Sequence, residues 1–223
     1  MQRRNMILGG LAVVGLGGWA LNSTMSTSGS TPIVGAANAQ SNAADVDTSG
    51  ITEMVMGDAD APVTIVEYAS FTCPHCADFH QGPFKQLKAD YIDTGKVKFI
   101  YREVYFDRPG LWASMVARCG GEAKFFGIAD LIYKGQSVWA RAGDPAAMVD
   151  ELRKIGRLAG MDNETLNTCL QDADMAQSLA AWDAQNREAD AITSTPSFVI
   201  NGTKRSNMAY SEFQTLIDAE LDS

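Results

Sequence analysis

The sequence is short of several features that would have pointed to a particular class of protein. Its 223 residues include only four cysteines, too few for a small fold stapled by disulfides, so a packed core must supply most of the stability. The net charge of −9 at pH 7 gives no sign of the basic surface that is typical of nucleic-acid binding. Only two histidines are present, and both lie in one short stretch, FTCPHCADFH, at residues 71–80.

The N-terminal segment has the pattern of an export signal. Two arginines precede an apolar, glycine-rich run over residues 6–21, and Ala-Asn-Ala at residues 37–39 offers a small-residue cleavage site. The run is shorter than the ~20 apolar residues of a spanning helix, so we expect cleavage, with an uncleaved membrane anchor as the alternative. The sequence therefore predicts a signal peptide over residues 1–39, a flexible polar linker over residues 40–53 and a location outside the cytosol.

Strand and helix patterns alternate along the remaining chain, residues 54–223. A β-branched run over residues 63–68 predicts a buried strand, and a helical pattern leads from it to a second strand over residues 97–104. Gly-Pro at residues 82–83 should interrupt the helix between them. From about residue 107 to 191 only helical patterns occur, which indicates a long helical insertion.

The C-terminal part returns to strand patterns. Residues 197–200 and 203–206 predict two short strands, joined by a hairpin turn at Asn201 and Gly202, and an amphipathic helix follows. The order of elements predicts an α/β fold with one central mixed sheet, helices on both faces and an inserted all-helical subdomain.

The two cysteines of CPHC could belong to several kinds of site. Attachment of c-type haem needs a histidine directly after the second cysteine, where this chain has Ala77. A structural zinc site needs four ligands, whereas Cys73, Cys76 and His80 offer three. Two inert core thiols are disfavoured because Pro74 suits the first turn of a helix, which places Cys73 at an exposed helix start. A redox-active pair is the best interpretation, and a periplasmic metal-binding module is the alternative from another class.

A cysteine at a helix start is well placed for thiol-disulfide exchange. The free N–H groups and the positive end of the helix dipole stabilise a thiolate at Cys73, and a protonated His75 would add a cation or a hydrogen-bond donor. Both effects lower the pKa of Cys73. Cys76, one turn further on, can attack a mixed disulfide held on Cys73 and release the partner.

Three features occur together along residues 54–223: F-x-C-P-H-C after a buried strand, a helical insertion, and T-P-S-F-V-I-N-G near the end. In this combination the chain resembles the DsbA-type branch of the thioredoxin-fold thiol-disulfide oxidoreductases. The resemblance implies a periplasmic enzyme without a cofactor that donates disulfides to unfolded exported proteins and is reoxidised by a DsbB-like membrane protein. A disulfide isomerase or reductase of the same fold is the alternative. Because only a short polar stretch precedes the fold, we expect a monomer without the dimerisation domain of the family's isomerases.

The resemblance also implies roles for three residues outside the CPHC motif. Pro196 matches a proline that opens the late strand with a cis peptide bond and faces the cysteine pair, and the backbone of Thr195 would pair with the substrate chain. Glu67 matches a buried acid beneath the site, six residues before Cys73, which relays protons to and from Cys76. The alternative for Glu67 is a strand-end glutamate that reaches solvent.

Two cysteines and one histidine remain. In an exported protein two unpaired thiols would be a liability, so we expect Cys119 and Cys169 to form a second, structural disulfide. Some members of the family have such a bridge and others lack it. We expect His80, which the redox interpretation leaves without a role, to lie on the outer face of its helix.

Overall fold

One mixed sheet of five strands forms the centre of the structure, a computed structural model that describes residues 46–222. The strands are β1 (Met54–Met56), β2 (Val63–Ala69), β3 (Val97–Glu103), β4 (Ser197–Ile200) and β5 (Thr203–Ser206). Their order across the sheet is β1-β3-β2-β4-β5. The central pair, β2 and β3, is parallel, and every other pairing is antiparallel. The predicted signal peptide and the first part of the predicted linker lie outside the described residues.

The central strand β2 is buried on both faces because its side chains alternate between two apolar clusters. Val63 and Ile65 pack into the larger cluster, whereas Val66 and Tyr68 pack into a smaller cluster on the opposite face. A β-branched run is suited to this position, since strands covered on both faces need apolar side chains in both directions. Glu67 points to the same face as Ile65, so its carboxyl group lies on the side of the larger cluster.

Three helices come from the parts of the chain that flank the insertion. They are α1 (Pro74–Gln81), α2 (Pro83–Leu87), which continues into a π-helical turn (Lys88–Ile92), and α8 (Tyr210–Leu221). Gly82 and Pro83 separate α1 from α2, as the sequence predicts, because proline suits the first position of a new helix and lacks the N–H needed to continue an old one.

The insertion consists of five helices between β3 and β4. They are α3 (Arg108–Cys119), α4 (Glu122–Trp139), α5 (Pro145–Leu158), α6 (Asn163–Gln171) and α7 (Ala173–Ala189). Four of them begin at an aspartate whose side chain accepts a hydrogen bond from the backbone N–H three residues on; these are Asp107, Asp144, Asp162 and Asp172. Helix α4 of the insertion packs against α1, and Arg118 on α3 forms an ion pair with Glu103 on β3.

The predicted α/β fold is confirmed, with two differences in detail. Strand β1 was not predicted, because three residues are too few to show an alternating pattern. The linker predicted over residues 40–53 extends too far, since the Thr52 carbonyl accepts a hydrogen bond from Arg118 and Glu53 forms an ion pair with Arg102. No helix within residues 46–222 combines the length and the apolar character needed to cross a membrane.

Candidate active site

Cys73 and Cys76 lie just beyond the end of β2, at the start of α1. Cys73 is the residue that precedes the helix, and its extended backbone places its half-buried thiol at the helix N-terminus. Cys76 lies one turn into α1 and is fully buried. Both cysteines are free thiols in the structure. One sulfur atom can therefore be reached by a second protein, and the other is covered.

The loop before Cys73 is held from below by helix α4. The side-chain amide of Gln136 donates hydrogen bonds to the carbonyl oxygens of Phe71, over 2.8 Å, and of Cys73, over 2.9 Å. On the other side of the loop, the Thr72 hydroxyl donates to Asp107, the residue that caps α3. The helical insertion thus positions the reactive cysteine through side chains that carry no recognisable motif.

The loop before β4 lies against the reactive cysteine. The peptide bond between Thr195 and Pro196 is cis, and the carbonyl oxygen of Thr195 lies 3.4 Å from Sγ of Cys73. The hydroxyl oxygen of Thr195 is buried, and the Thr195 side chain also acts on the Cys73 thiol. The structure therefore brings together the two segments that the sequence places more than a hundred residues apart.

The surroundings of Cys73 lower the pKa of its thiol to about 5. The largest contribution is a hydrogen bond from the Cys76 thiol, and burial opposes it. Hydrogen bonds from the Thr195 side chain and from the backbone N–H groups of Cys76 and His75 lower the pKa further. Because these N–H groups belong to the first turn of α1, the predicted effect of the helix N-terminus is present.

The contribution of His75 differs from the one expected. Its side chain is exposed, and it lowers the pKa of Cys73 through its backbone N–H. The imidazole is therefore not needed to explain the low pKa.

Cys76 is perturbed in the opposite direction. Burial raises the pKa of the Cys76 thiol far above its usual value, and the hydrogen bond to Cys73 and the negative charge of Glu67 raise it further. At neutral pH the pair therefore consists of a Cys73 thiolate beside a protonated Cys76. This asymmetry suits a pair in which the accessible sulfur exchanges with partner proteins and the buried sulfur later attacks the mixed disulfide.

Glu67 and His80 form a buried pair in the core beneath the cysteines. Their side chains are 0% and 5% exposed, and Nε2 of His80 lies 2.8 Å from Oε2 of Glu67. The alternative in which Glu67 reaches solvent is therefore wrong, and so is the expectation that His80 lies on the outer face of α1. His80 is buried because α4 covers this face of the helix and the Tyr133 ring stacks on the imidazole, with ring centres 4.4 Å apart.

The remaining two cysteines are joined. The structure places Cys119, at the end of α3, in a disulfide with Cys169 on α6, and their Cα atoms are 6.0 Å apart. Within residues 46–222, no group of three or more His, Cys, Asp or Glu side chains is arranged to hold a metal ion. His80, the third ligand in the metal-binding alternative, is bonded to Glu67 instead.

A sequence model for a family described as thioredoxin matches residues 49–219, which is most of the chain and nearly all of the described part. The chain belongs to the thioredoxin family. Within it, the helical insertion and the similar proteins described next place the chain in the DsbA-type branch.

Three similar proteins illustrate this placement. A putative protein-disulfide oxidoreductase from Rickettsia bellii is 34% identical over 171 residues, which are 76% of this chain and 65% of that protein. The crystal structure of alpha-DsbA1 from Wolbachia pipientis has a TM-score of 0.69 and 26% identity, covering 80% of this chain and 94% of that one. The oxidised structure of BdbD from Bacillus subtilis has a TM-score of 0.68 and 25% identity, covering 77% and 94%. This chain thus spans less than two thirds of the Rickettsia relative.

Two side chains of this DsbA-type site could not have been found from the sequence. Gln136 is one polar residue in a long helical segment, and no spacing links it to the cysteines. His80 is four residues after Cys76, so both lie on one face of α1, but this spacing does not tell which face is covered. Their positions depend on how α4 packs against α1.

Proposed function

We propose that this protein is a periplasmic disulfide oxidase that donates the Cys73–Cys76 disulfide to newly exported proteins. The observation that supports this best is the opposite perturbation of the two thiols. The accessible sulfur has a pKa of about 5, and the pKa of the buried sulfur is raised well above its usual value. A stable Cys73 thiolate favours the reduced enzyme, and an enzyme that prefers to be reduced oxidises its substrates.

The first step breaks the enzyme's disulfide. A substrate thiolate attacks Sγ of Cys73, which is the accessible atom of the pair. The bond between Cys73 and Cys76 breaks, a mixed disulfide forms between substrate and Cys73, and Cys76 leaves as a thiolate. Because its surroundings disfavour the charged form, Cys76 then takes up a proton.

The second step releases the oxidised substrate. A second substrate thiolate attacks the substrate sulfur of the mixed disulfide, and Cys73 leaves as a thiolate stabilised at the start of α1. Two electrons have passed from the substrate to the enzyme, and the substrate has gained one disulfide. Each unit by which the thiolate pKa is lowered corresponds to about 1.4 kcal/mol, or about 30 mV for this two-electron couple.

Other residues of the site take supporting roles in this proposal. The Thr195 backbone would pair with the extended substrate chain beside Pro196, and Glu67 would pass protons to and from Cys76. A DsbB-like membrane protein would reoxidise the enzyme by accepting the attack of the Cys73 thiolate. The mature chain would begin at Gln40, which mass spectrometry of the periplasmic fraction can test. An intact N-terminus recovered from the membrane would contradict export with cleavage.

The activity is tested by mixing the oxidised protein with a reduced, unfolded ribonuclease and following disulfide formation. We expect stoichiometric oxidation by the wild-type protein and none by Cys73→Ser, and we expect the pair to equilibrate with glutathione as an oxidant. A reducing equilibrium would contradict the proposed direction. Faster repair of scrambled ribonuclease than oxidation of the reduced form would identify an isomerase instead.

A further inference from the structure

The imidazole of His80 connects the buried acid to the protein surface. On one side its Nε2 atom bonds to Glu67, which is itself fully buried. On the other side His80 lines a pocket of about 250 Å³, together with the exposed Lys85 and the half-buried Lys88. The ring therefore lies between a carboxyl group that water cannot reach directly and a cavity that reaches the surface.

The chemistry at Cys76 requires such a connection. In the proposed function Cys76 gains a proton when the enzyme is reduced and loses one when it is reoxidised, yet Cys76 and Glu67 are both 0% exposed. The charge of Glu67 acts on Cys76, so the acid lies within electrostatic reach of the thiol. A proton accepted by Glu67 still needs a route to bulk water, and Oε2 of this residue is bonded to His80.

We propose that His80 is the proton-transfer residue that couples Glu67 to the water of this pocket. This inference rests on the proposed function and concerns protons only. During reoxidation Cys76 gives its proton to Glu67, Glu67 passes a proton to Nε2 of His80, and the imidazolium releases the proton of Nδ1 to water. During substrate oxidation the same steps run in reverse, so each complete cycle restores the starting tautomer of His80.

The groups around His80 leave this route open. The rings of Tyr133 and Tyr101 lie against it, with centres 4.4 and 5.8 Å from the imidazole. Burial raises the pKa of both tyrosines well above the usual value, so neither gives up its proton near neutral pH.

The charged groups of the pocket are Lys85, Lys88 and Asp130. Lys88 is paired with Asp93, and Asp130 is paired with Lys134. Cys76 and Glu67 complete the set of titratable groups.

The first test measures how fast Cys76 resolves a mixed disulfide between Cys73 and glutathione in single-turnover, quenched reactions. His80→Gln keeps an amide donor for Glu67 but cannot relay a proton, so we expect resolution to slow about a hundredfold, the lower end of the range for lost proton transfer. In His80→Ala, which vacates the ring's space, added imidazole should restore part of the rate. A wild-type rate in His80→Gln would overturn the proposal.

A second pair of variants leaves His80 and Glu67 untouched. Gly127, on α4, lines the same pocket, and a Cβ added there meets no atom within 4 Å. Gly127→Leu should fill the pocket and slow resolution, whereas the matched control Gly127→Ala should leave the rate unchanged. If Gly127→Leu resolves the mixed disulfide as fast as Gly127→Ala, the pocket is not the proton route and the proposal fails.

Three measurements distinguish proton transfer by His80 from a purely structural role of this residue. We expect the pKa of Cys73 and the glutathione equilibrium to stay unchanged in His80→Gln, and the double variant with Glu67→Gln to be no slower than Glu67→Gln alone, because both residues act in one route. If the two substitutions together slow resolution by the product of their separate effects, the proposal is overturned. Failure of the proposed function is distinguishable: the wild-type protein would then not oxidise ribonuclease, while the effect of His80 on resolution would persist.

Discussion

The side-chain amide of Gln136 donates a hydrogen bond to the carbonyl oxygen of Cys73 over 2.9 Å. The same amide nitrogen also donates to the Phe71 carbonyl, so one residue of the helical insertion holds both ends of the turn that carries the reactive cysteine. The insertion is therefore part of the active site, because it sets the position of the backbone from which α1 starts.

Replacing Gln136 by methionine should destabilise the protein. The methionine has a similar size but no donor, so the Phe71 carbonyl loses its partner, whereas the Cys73 carbonyl keeps the hydrogen bond from the Ala77 N–H. Leaving a buried carbonyl unpaired costs about 1–3 kcal/mol in the free energy of unfolding. Denaturant unfolding measures this change. The same replacement at Gln171, which is exposed at the end of α6, is the control and should change the free energy by less than about 0.5 kcal/mol. Equal effects at the two positions would contradict the role given to Gln136.

Replacing Cys76 by alanine should raise the pKa of Cys73. The hydrogen bond from the Cys76 thiol is the largest contribution that lowers this pKa to about 5. Cys76→Ser keeps a donor of similar size and should leave the pKa closer to that of the wild-type protein. Titration of the thiolate by its ultraviolet absorbance gives the pKa of Cys73 in the wild-type protein and in both variants. Equal pKa values in the alanine and serine variants would rule out the hydrogen bond as the main cause.

Replacing His75 by alanine should have a smaller effect than Cys76→Ala. The alanine retains the backbone N–H through which His75 lowers the pKa of Cys73, and only an exposed imidazole is lost. We therefore expect the pKa of Cys73 to remain well below that of a free cysteine in the same absorbance titration. A rise larger than in Cys76→Ala would show that the imidazole dominates, as the sequence alone suggested.

The stability of the reduced protein should depend on pH between about 5 and 9. Folding lowers the pKa of Cys73 from the ordinary value of 9.0 to about 5, so this contribution is complete above pH 9 and is lost as the pH falls through 5. The pKa of Cys76 is raised instead, so its effect appears only at higher pH. We therefore expect the difference in the free energy of unfolding between the reduced and the oxidised protein to shrink as the pH falls toward 5. An unchanged difference across this range, or the same trend in reduced Cys73→Ala, would contradict the assignment.

Removing the second disulfide should lower stability without changing the chemistry. Cys119 and Cys169 are 50 residues apart in sequence, and closing a loop of this length contributes about 4 kcal/mol on the chain-entropy model. The double alanine variant should show this loss in denaturant unfolding and should keep the wild-type pKa at Cys73. Thiol labelling of the denatured, unreduced protein is the independent check. Two labelled cysteines at these positions would disprove the bridge in the native protein.

The sequence alone determined the features that depend on local patterns. A β-branched run is enough to predict the central strand β2, and Asn201-Gly202 is enough to predict the hairpin of β4 and β5, because turn chemistry and side-chain alternation act over a few residues. Pro74 after Cys73 likewise predicts the start of α1 and places Cys73 directly before it. The family resemblance followed from these local motifs taken in order.

Only the tertiary structure decided which of several equivalent positions are buried and joined. The helical pattern of α1 allows His80 to face solvent or the core, and the packing of α4 against that face makes it a buried partner of Glu67. In the same way, nothing near Gln136 in sequence indicates that its amide reaches the Cys73 carbonyl. Long-range contacts of this kind depend on the placement of whole helices, which is set by the summed burial of many apolar side chains and not by any one motif.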